Sequence, residues 1–180
     1  MTLEDLIKKD KSFSESGFLA KADNTYIMIL MAIMTEDLKR VDHKVGDELY
    51  QELTTKLQSS KEANEIQMYD ELNVKDSYII GIEETENYYE IKVQLISRYM
   101  DYQIDKTTRQ YKSGNNQSRV EKTHILTFQK KKNTQVEGMS RTCPGCGASV
   151  NANSSGVCEY CGTVYNTEDY DWILMQIKTQ

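Results

Sequence analysis

Two short cysteine motifs constrain this chain more than any other feature of its sequence. They read Cys143-Pro-Gly-Cys146-Gly and Cys158-Glu-Tyr-Cys161-Gly, and they contain all four cysteines of the protein. Two Cys-x-x-Cys turns, each followed by glycine, let four thiolates converge tetrahedrally on one ion, and the glycines let the backbone fold back towards sulfur. The motifs therefore predict a zinc ribbon whose ligands are Cys143, Cys146, Cys158 and Cys161.

Two other uses of the four cysteines stay open at this point. They could form a disulfide framework, for which three pairings exist. They could also include a redox pair of the thioredoxin kind, which normally shows one Cys-x-x-Cys at a strand-to-helix junction. The doubled spacing favours a single Zn²⁺. Because four cysteine ligands fill the shell of zinc and leave no position for water, we expect a structural ion rather than a catalytic one.

Length and charge suggest a larger domain ahead of this small unit. The chain has 180 residues, enough to bury a sizeable core. We expect one domain at residues 1–138 and a second unit at residues 139–180, which holds the ribbon and a C-terminal strand that contains Trp172. The formal net charge of -6 disfavours a nucleic-acid-binding protein, because phosphate contacts need a concentrated basic surface.

The first part of the larger domain has the period of helices. Apolar residues return every three or four positions over residues 18–33, and Ser12 with Glu15 has the form of a capping box, so a long helix is predicted there. Thr35 is expected to cap a second, shorter helix. Gly46 marks the break before a third.

Neither a signal peptide nor a membrane span is expected. The first ten residues carry Glu4, Asp5 and Asp10 and lack an apolar run. The most apolar stretch, residues 26–34, is much shorter than the about 20 residues that a bilayer-crossing helix needs. It is therefore predicted to be part of a core helix.

The second part of the domain has the period of strands. Over residues 66–82 the apolar side chains share even parity, which indicates a long strand or a broken pair, with Asp70 at a bend. In the next strand the parity slips after Leu95, and this predicts a β-bulge near Ser97. The polar residues 105–118 predict the loop of a hairpin.

The return strand of that hairpin is predicted at residues 120–130. His124, Leu126 and Phe128 share one face of it, and the histidine is interpreted as a satisfied or rim-exposed side chain. Helices followed by long bent antiparallel strands make an α+β order, with the helices on one face of a curled sheet. The residues around Trp172 predict a final strand, packed either on the ribbon or on the main sheet, and a short helix is the alternative.

Several stretches together resemble one known family. They are Asp10-Lys-Ser-Phe13-Ser, the Met-rich helix, Arg98-Tyr-Met-Asp101-Tyr-Gln-Ile-Asp105, and His124-Ile-Leu-Thr127-Phe128. The chain resembles the C-terminal domain of the forty-four-kilodalton subunit of the mitochondrial inner-membrane translocase. The ribbon and the Tyr-Asp-Trp sequence that ends at Trp172 resemble a bacterial branch of that family. Relatives often have glycine after the threonine of the hairpin, where this chain reads Lys106-Thr-Thr108-Arg109.

The resemblance implies a fold and a role. The fold is a cone like that of nuclear transport factor two, in which a curved antiparallel sheet wraps the long helix and an apolar pocket opens at the mouth. The role is that of a non-catalytic binding module, membrane-associated and transport-linked, which engages a protein partner or a membrane lipid through that mouth. Reduced thiolates on zinc fit the cytoplasm, including the cytoplasmic face of a membrane.

Two further functions stay open. Folds of this cone type also host isomerases and dehydratases that use an acid or a tyrosine in the pocket. The residues that could serve here are Asp70, Tyr99, Asp101 and His124, and two of them would have to meet within hydrogen-bond reach in one pocket. A zinc ribbon could also bind nucleic acid, although the acidic charge disfavours this function.

Overall fold

The helices precede the strands, as the sequence predicts. The structure is a computed structural model, and it describes residues 1–132, 140–143, 145–151, 157–163 and 171–180. The described helices are α1 (Leu3–Lys9), α2 (Glu15–Met34), a 3₁₀ helix (Leu38–Val41) and α3 (Asp47–Glu62). The described strands are β1 (Glu65–Glu84), β2 (Tyr88–Asp105), β3 (Tyr111–Lys131), β4 (Ser140–Thr142), β5 (Ser149–Asn151) and β6 (Ile173–Thr179).

The main sheet is antiparallel and packs on the long helix. Its order is β1-β2-β3-β6, and β4 pairs with β5 in a separate two-stranded sheet. Register shifts interrupt both long strand pairs, and irregularities of this kind bend strands and curve a sheet. Helix α2 packs on β1 and β2. The predicted α+β class, with helices on one face of a curved antiparallel sheet, is confirmed.

The core lies between α2 and the inner face of the sheet. Its fully or almost fully buried members include Phe18, Ala22, Tyr26 and Ile29 of α2, Ile91, Val93 and Leu95 of β2, and Leu126 and Phe128 of β3. Among the described helices, α2 is the one long and apolar enough to cross a membrane, a test that core helices of soluble proteins and signal sequences also pass. Its burial against the sheet agrees with the predicted core helix.

Helix α2 begins two residues later than predicted. The hydroxyl of Ser14 accepts a hydrogen bond from the backbone amide of Gly17 at 3.3 Å, whereas Ser12 turns back to the carboxylate of Asp10. The reason is apolar packing: Phe13, just before the cap, lies 5.6 Å from Phe18 between ring centroids. This contact is a hydrophobic staple, and it fixes Ser14 as the cap.

The second helix is also shorter than predicted. Thr35 ends α2 and donates its hydroxyl hydrogen bond back to the carbonyl of Met31, so it does not begin a new helix. The single 3₁₀ turn Leu38–Val41 takes the predicted place. Helix α3 starts after Gly46, as expected.

The β-bulge predicted near Ser97 is wrong. In β2 the buried positions alternate without a slip through Leu95, Ser97 and Tyr99. The hydroxyl of Ser97 lies 2.8 Å from that of Tyr26, which explains why a polar residue faces the core. The register shifts fall instead in β1, between Val74 and Asp76 among others, and opposite Tyr99/Asp101, where β3 carries extra residues.

The even parity predicted for residues 66–82 does not hold along β1, because Tyr69, at an odd position, packs on the core before the first register shift, whereas Leu72 and Val74 pack on it afterwards. A register shift at Asp70/Asn73, with Glu71 at a φ of 53°, confirms the bend at Asp70. After the next shift Ile79 packs on the core, whereas Ile80 is 47% exposed. Each extra residue in the strand moves the following side chains to the opposite face.

The β2–β3 hairpin has a shorter loop than predicted. The strands end at Asp105 and resume at Tyr111, so most of residues 105–118 belong to β3. Asp105 accepts hydrogen bonds from the amides of Thr107 and Thr108 and closes the turn. Arg109 then adopts a φ of 62°, in the left-handed region that favours the glycine often found in relatives.

The final segment returns to the main sheet. Strand β6 pairs with β3 from His124↔Thr179 to Gln129↔Ile173. Trp172 is buried just before it. Of the two positions left open, the strand therefore takes the one on the main sheet. The predicted domain boundary at residue 139 lies outside the described residues.

Candidate functional site

The four cysteines meet in one cluster. Their Sγ atoms all lie within 4.8 Å of one another. The Sγ atoms of Cys143 and Cys161 are 3.6 Å apart, and those of Cys146 and Cys158 are 3.9 Å apart. The two sulfur atoms of a disulfide lie about 2.0 Å apart. The separations here are larger, and all four cysteines are free. The cluster is a possible metal site.

The two cysteine turns have the same local structure. In each, the amide of the glycine that follows the second cysteine donates to the carbonyl of the first: Gly147 to Cys143 and Gly162 to Cys158, both at 2.9 Å. The φ angles of these glycines are 73° and 71°, which a side chain would disfavour. The glycine noted in each sequence motif therefore has a specific conformational role.

Hydrogen bonds favour thiolates at part of the cluster. The hydroxyl of Thr163 lies 3.0 Å from the Sγ of Cys161, and hydrogen bonds from Thr163 lower the pKa of Cys161 to about 6. At Cys146 a hydrogen bond from the amide of Ala148 lowers the pKa of the thiol. The neighbouring cysteines outweigh it and raise this pKa to about 11. Four thiolates at this separation repel one another, and a bound cation would remove that repulsion.

A second feature is a cavity of about 160 Å³ where the α1–α2 connection meets β3 and residues 171–172. Three aromatic rings line it. The ring centroids of Phe18 and Trp172 are 5.2 Å apart, and those of Phe13 and Trp172 are 6.0 Å apart. We call this feature the aromatic cavity.

Two partly buried ion pairs form the rim of the aromatic cavity. The Nζ of Lys21 lies 2.5 Å from a carboxylate oxygen of Asp171, and that of Lys130 lies 2.6 Å from Asp10. Burial raises the pKa of Asp10, but hydrogen bonds from Lys130 and Ser12 lower it further and hold it below its usual value. An apolar floor under a charged rim suits a ligand that has an apolar body and a polar end.

His124 belongs to a buried polar cluster. Its Nε2 lies 2.9 Å from the hydroxyl of Tyr26, and its Nδ1 lies 3.1 Å from the hydroxyl of Thr179. Burial lowers the pKa of His124 to about 4, so the ring is neutral at pH 7. A neutral imidazole has one donor and one acceptor, and both are satisfied when Tyr26 donates to Nε2 and Nδ1 donates to Thr179. The interpretation of His124 as a satisfied side chain agrees with this geometry.

The four residues considered for catalysis do not form an acid–base pair in the aromatic cavity. Asp70 accepts a hydrogen bond from Tyr102 at 2.5 Å, and Asp101 accepts one from Gln67 at 2.8 Å. Tyr99 packs edge-on against another tyrosine. In the part of the chain that the structure describes, no hydrogen bond joins two of the four candidates, and none of the four lines the aromatic cavity.

The aromatic cavity has little signal in the sequence. Its rim joins Asp10 to Lys130 and Lys21 to Asp171, pairs separated by 120 and 150 positions. A spacing rule cannot find such pairs, because only the folded sheet brings them together. The one local signal was the aromatic pair Phe13 and Phe18 around the cap of α2.

Helices on one face of a curved four-stranded antiparallel sheet, with a four-cysteine cluster in the chain, define an α+β protein of the nuclear transport factor two-like kind. The Tim44-like domain matches residues 1–139, and the chain therefore belongs to this family. The family predicted from the sequence is confirmed. Tim44-like domains are non-catalytic binding modules associated with membranes, and they bind proteins and membrane lipids. No curated protein matches the chain.

Proposed function

We propose that this protein is a non-catalytic, transport-linked binding module that works at the cytoplasmic face of a membrane. It engages a protein or a membrane lipid through the aromatic cavity, which serves as the mouth of the cone. The observation that carries the proposal is the Tim44-like match over residues 1–139. The aromatic floor, with Phe13, Phe18 and Trp172, adds a concave apolar surface of the kind that binding sites use.

The cysteine cluster is proposed to hold one structural Zn²⁺ through Cys143, Cys146, Cys158 and Cys161. A tetrahedron with Zn–S bonds of about 2.3 Å has S···S edges of about 3.8 Å. The Sγ separations of Cys143 from Cys161, 3.6 Å, and of Cys146 from Cys158, 3.9 Å, lie on either side of that edge length. With four sulfur ligands, the ion would join the two cysteine turns and would leave no position for a substrate or water.

The proposed organisation keeps the predicted boundary after residue 138. The cysteine unit then forms an insertion between β3 and β6, because β6 pairs with β3. The enzyme alternative is less favoured because none of its candidate residues lines the aromatic cavity, and the nucleic-acid alternative because the net charge is -6. Neither alternative uses the aromatic cavity.

A cavity-filling substitution tests the proposed binding site. Gly17 lines the aromatic cavity, and a Cβ there would meet only the side chain of Ser14, at 3.5 Å and beyond. Gly17→Leu should therefore project into the cavity without breaking the helix. The matched control is Ala20→Leu, which adds a leucine to an exposed position of the same helix.

Two assays follow these proteins: flotation with phospholipid vesicles, and crosslinking pull-down from membrane-protein extracts. We expect binding in at least one assay for the wild type and for Ala20→Leu, and at least a tenfold loss for Gly17→Leu. Folded wild-type protein that binds in neither assay would contradict the binding function. Equal binding by Gly17→Leu would move the site away from the aromatic cavity.

A further inference from the structure

Residues 171–180 lie beyond the part of the chain that the family match covers, yet they complete its sheet. The match ends at residue 139, and β6 is the fourth strand of the main sheet. These residues pair with β3 and contact Lys21, Phe18 and residues 44–46, all of which lie within the matched part of the chain. The receiving surface and the strand that fills it are therefore separate parts of the sequence.

The backbone of this segment is held on both edges. On one edge β6 pairs with β3 over residues 124–129. On the other edge the amide of Leu174 donates to the carbonyl of Lys44 at 3.0 Å, and its carbonyl accepts from the amide of Gly46 at 2.9 Å. A Cβ at Gly46 would lie 2.7 Å from the terminal methyl of Met175, so a larger residue there would require this side chain to move.

A few side chains add selectivity to these backbone contacts. Asp171 pairs with Lys21 at 2.5 Å, and the indole of Trp172 packs against Phe18. Leu174 is completely buried. Gln176 and Lys178 point to solvent. The pattern recognised is an acid, an aromatic residue and then two aliphatic residues, in an extended segment, since Ile173 is also buried.

We propose that this surface is a docking groove for an extended protein segment of that pattern, and that residues 171–180 occupy it until a partner segment takes their place. The groove consists of the β3 edge at residues 124–129, the backbone of residues 44–46, and the rings of Phe13 and Phe18. A partner would bind as the fourth strand, with main-chain hydrogen bonds for affinity and side-chain pockets for specificity. This inference rests on the proposed binding function and names its partner class: because Asp171 and Trp172 line the aromatic cavity, an incoming segment would replace that wall of the cavity with its own acid and aromatic residue.

Residues 171–180 are covalently attached to the groove that they occupy, and this affects how binding of a free peptide can be measured. A tethered segment competes with a free one at an effective concentration on the order of millimolar. A free peptide therefore meets a closed groove in the wild-type chain. Removing one anchor from the tethered copy opens the groove and leaves its receiving side intact.

The probe is a fluorescein-labelled peptide of residues 171–180, added to full-length protein and followed by fluorescence anisotropy. We expect the chain with Trp172→Ala to bind this peptide at least tenfold more tightly than the wild-type chain does. A chain with Lys178→Ala, changed at an exposed position of the same strand, should bind like the wild type. A peptide carrying Trp172→Ala should bind at least tenfold more weakly than the unmodified peptide.

If Trp172→Ala does not fold, hydrogen exchange in the wild-type chain tests the proposal instead, because it measures how often β6 opens. We expect the amides of β6 to exchange at least tenfold faster than those of Val93 and Leu95 in β2. If β6 and β2 open together, the segment is an integral core strand and the proposal is wrong. It is equally wrong if Trp172→Ala folds, with β2 protected, but does not bind the peptide.

The size of the complexes identifies the occupant. One chain with one peptide supports the proposal, whereas a dimer of Trp172→Ala in the absence of peptide would assign the groove to a second copy of the chain and overturn it. Vesicle flotation with Gly17→Leu does not depend on the peptide. Failure of the groove therefore remains distinguishable from failure of the proposed binding function.

Discussion

His124 is kept neutral by its surroundings, and this has a consequence for stability. The folded protein lowers its pKa from 6.5 to about 4, chiefly through burial. Between these values the unfolded chain binds more protons than the folded one, so stability falls as the pH falls. The contribution is fully present above pH 6.5 and is lost as the pH approaches 4.

We therefore predict a histidine-specific loss of stability in acid. From pH 7.5 to pH 4.0 the wild type should lose about 3 kcal/mol more free energy of unfolding than His124→Gln, since one pKa unit corresponds to about 1.4 kcal/mol. Glutamine can still bond to Tyr26 and Thr179, but it does not titrate. Urea unfolding at the two pH values measures the difference. Carboxylates contribute equally to both proteins, so equal losses would show that His124 is not the group responsible.

Gly114 shows how one position fixes an irregular strand pair. Its φ is 96°, and a Cβ there would overlap the carbonyl oxygen of Asp101 and the Cα of Tyr102 on the facing strand. Gly81 in β1 makes a matched comparison. Its φ is not in the left-handed region, and a Cβ would meet only Lys92, at 3.9 Å.

At the level of the sheet, alanine should therefore have opposite effects at these two positions. Gly114→Ala should lower the free energy of unfolding by about 1–3 kcal/mol, the usual cost of a forced backbone conformation. Gly81→Ala should leave it unchanged or raise it by about 0.5–1 kcal/mol, because alanine loses less entropy on folding. Chemical denaturation of both variants checks this, and a neutral Gly114→Ala would mean that the β2–β3 irregularity can relax.

The elements that follow a simple period could be predicted from the sequence, and those that depend on a partner could not. The repeat in α2 and the alternation through His124 and Phe128 give their faces directly, because local apolar spacing determines burial there. The bulge predicted near Ser97 is wrong because a polar residue faces the core there. The hydroxyl of Ser97 bonds to Tyr26, which lies far away in the sequence. The cap of α2 shifts for a similar reason, since the packing of Phe13 outweighs the Ser12 and Glu15 pattern.

On the scale of the whole molecule, the two candidate sites differ in how far the sequence predicts them. The cysteine cluster is encoded within residues 143–161, so spacing alone brings its thiols together. The aromatic cavity needs residues from both ends of the chain, such as Phe13 and Trp172, and these meet only after β6 joins the sheet. Local motifs therefore identify the possible metal site, and topology creates the proposed binding surface.

The position of the cysteine unit between β3 and β6 leads to a last prediction, about removal of the metal. A bridge from Cys143 to Cys161 shortens the free connection between these strands by about half, and each doubling of a loop costs about 0.6 kcal/mol. The contacts of Trp172 and Leu174 with the main sheet do not involve the cluster. Loss of zinc should thus destabilise the main sheet only slightly.

We predict one zinc ion per wild-type chain and none in Cys158→Ser, as measured by elemental analysis. The fluorescence of Trp172, the one tryptophan of the protein, should stay that of a buried indole in Cys158→Ser. Its melting transition should fall by about 2 °C, as expected for a change near 0.6 kcal/mol. The control Glu159→Ser, at an exposed position next to the ligand, should keep its zinc. If Trp172 becomes exposed when zinc is lost, the cluster is an integral support of β6, and the proposed division between the cysteine unit and the sheet fails.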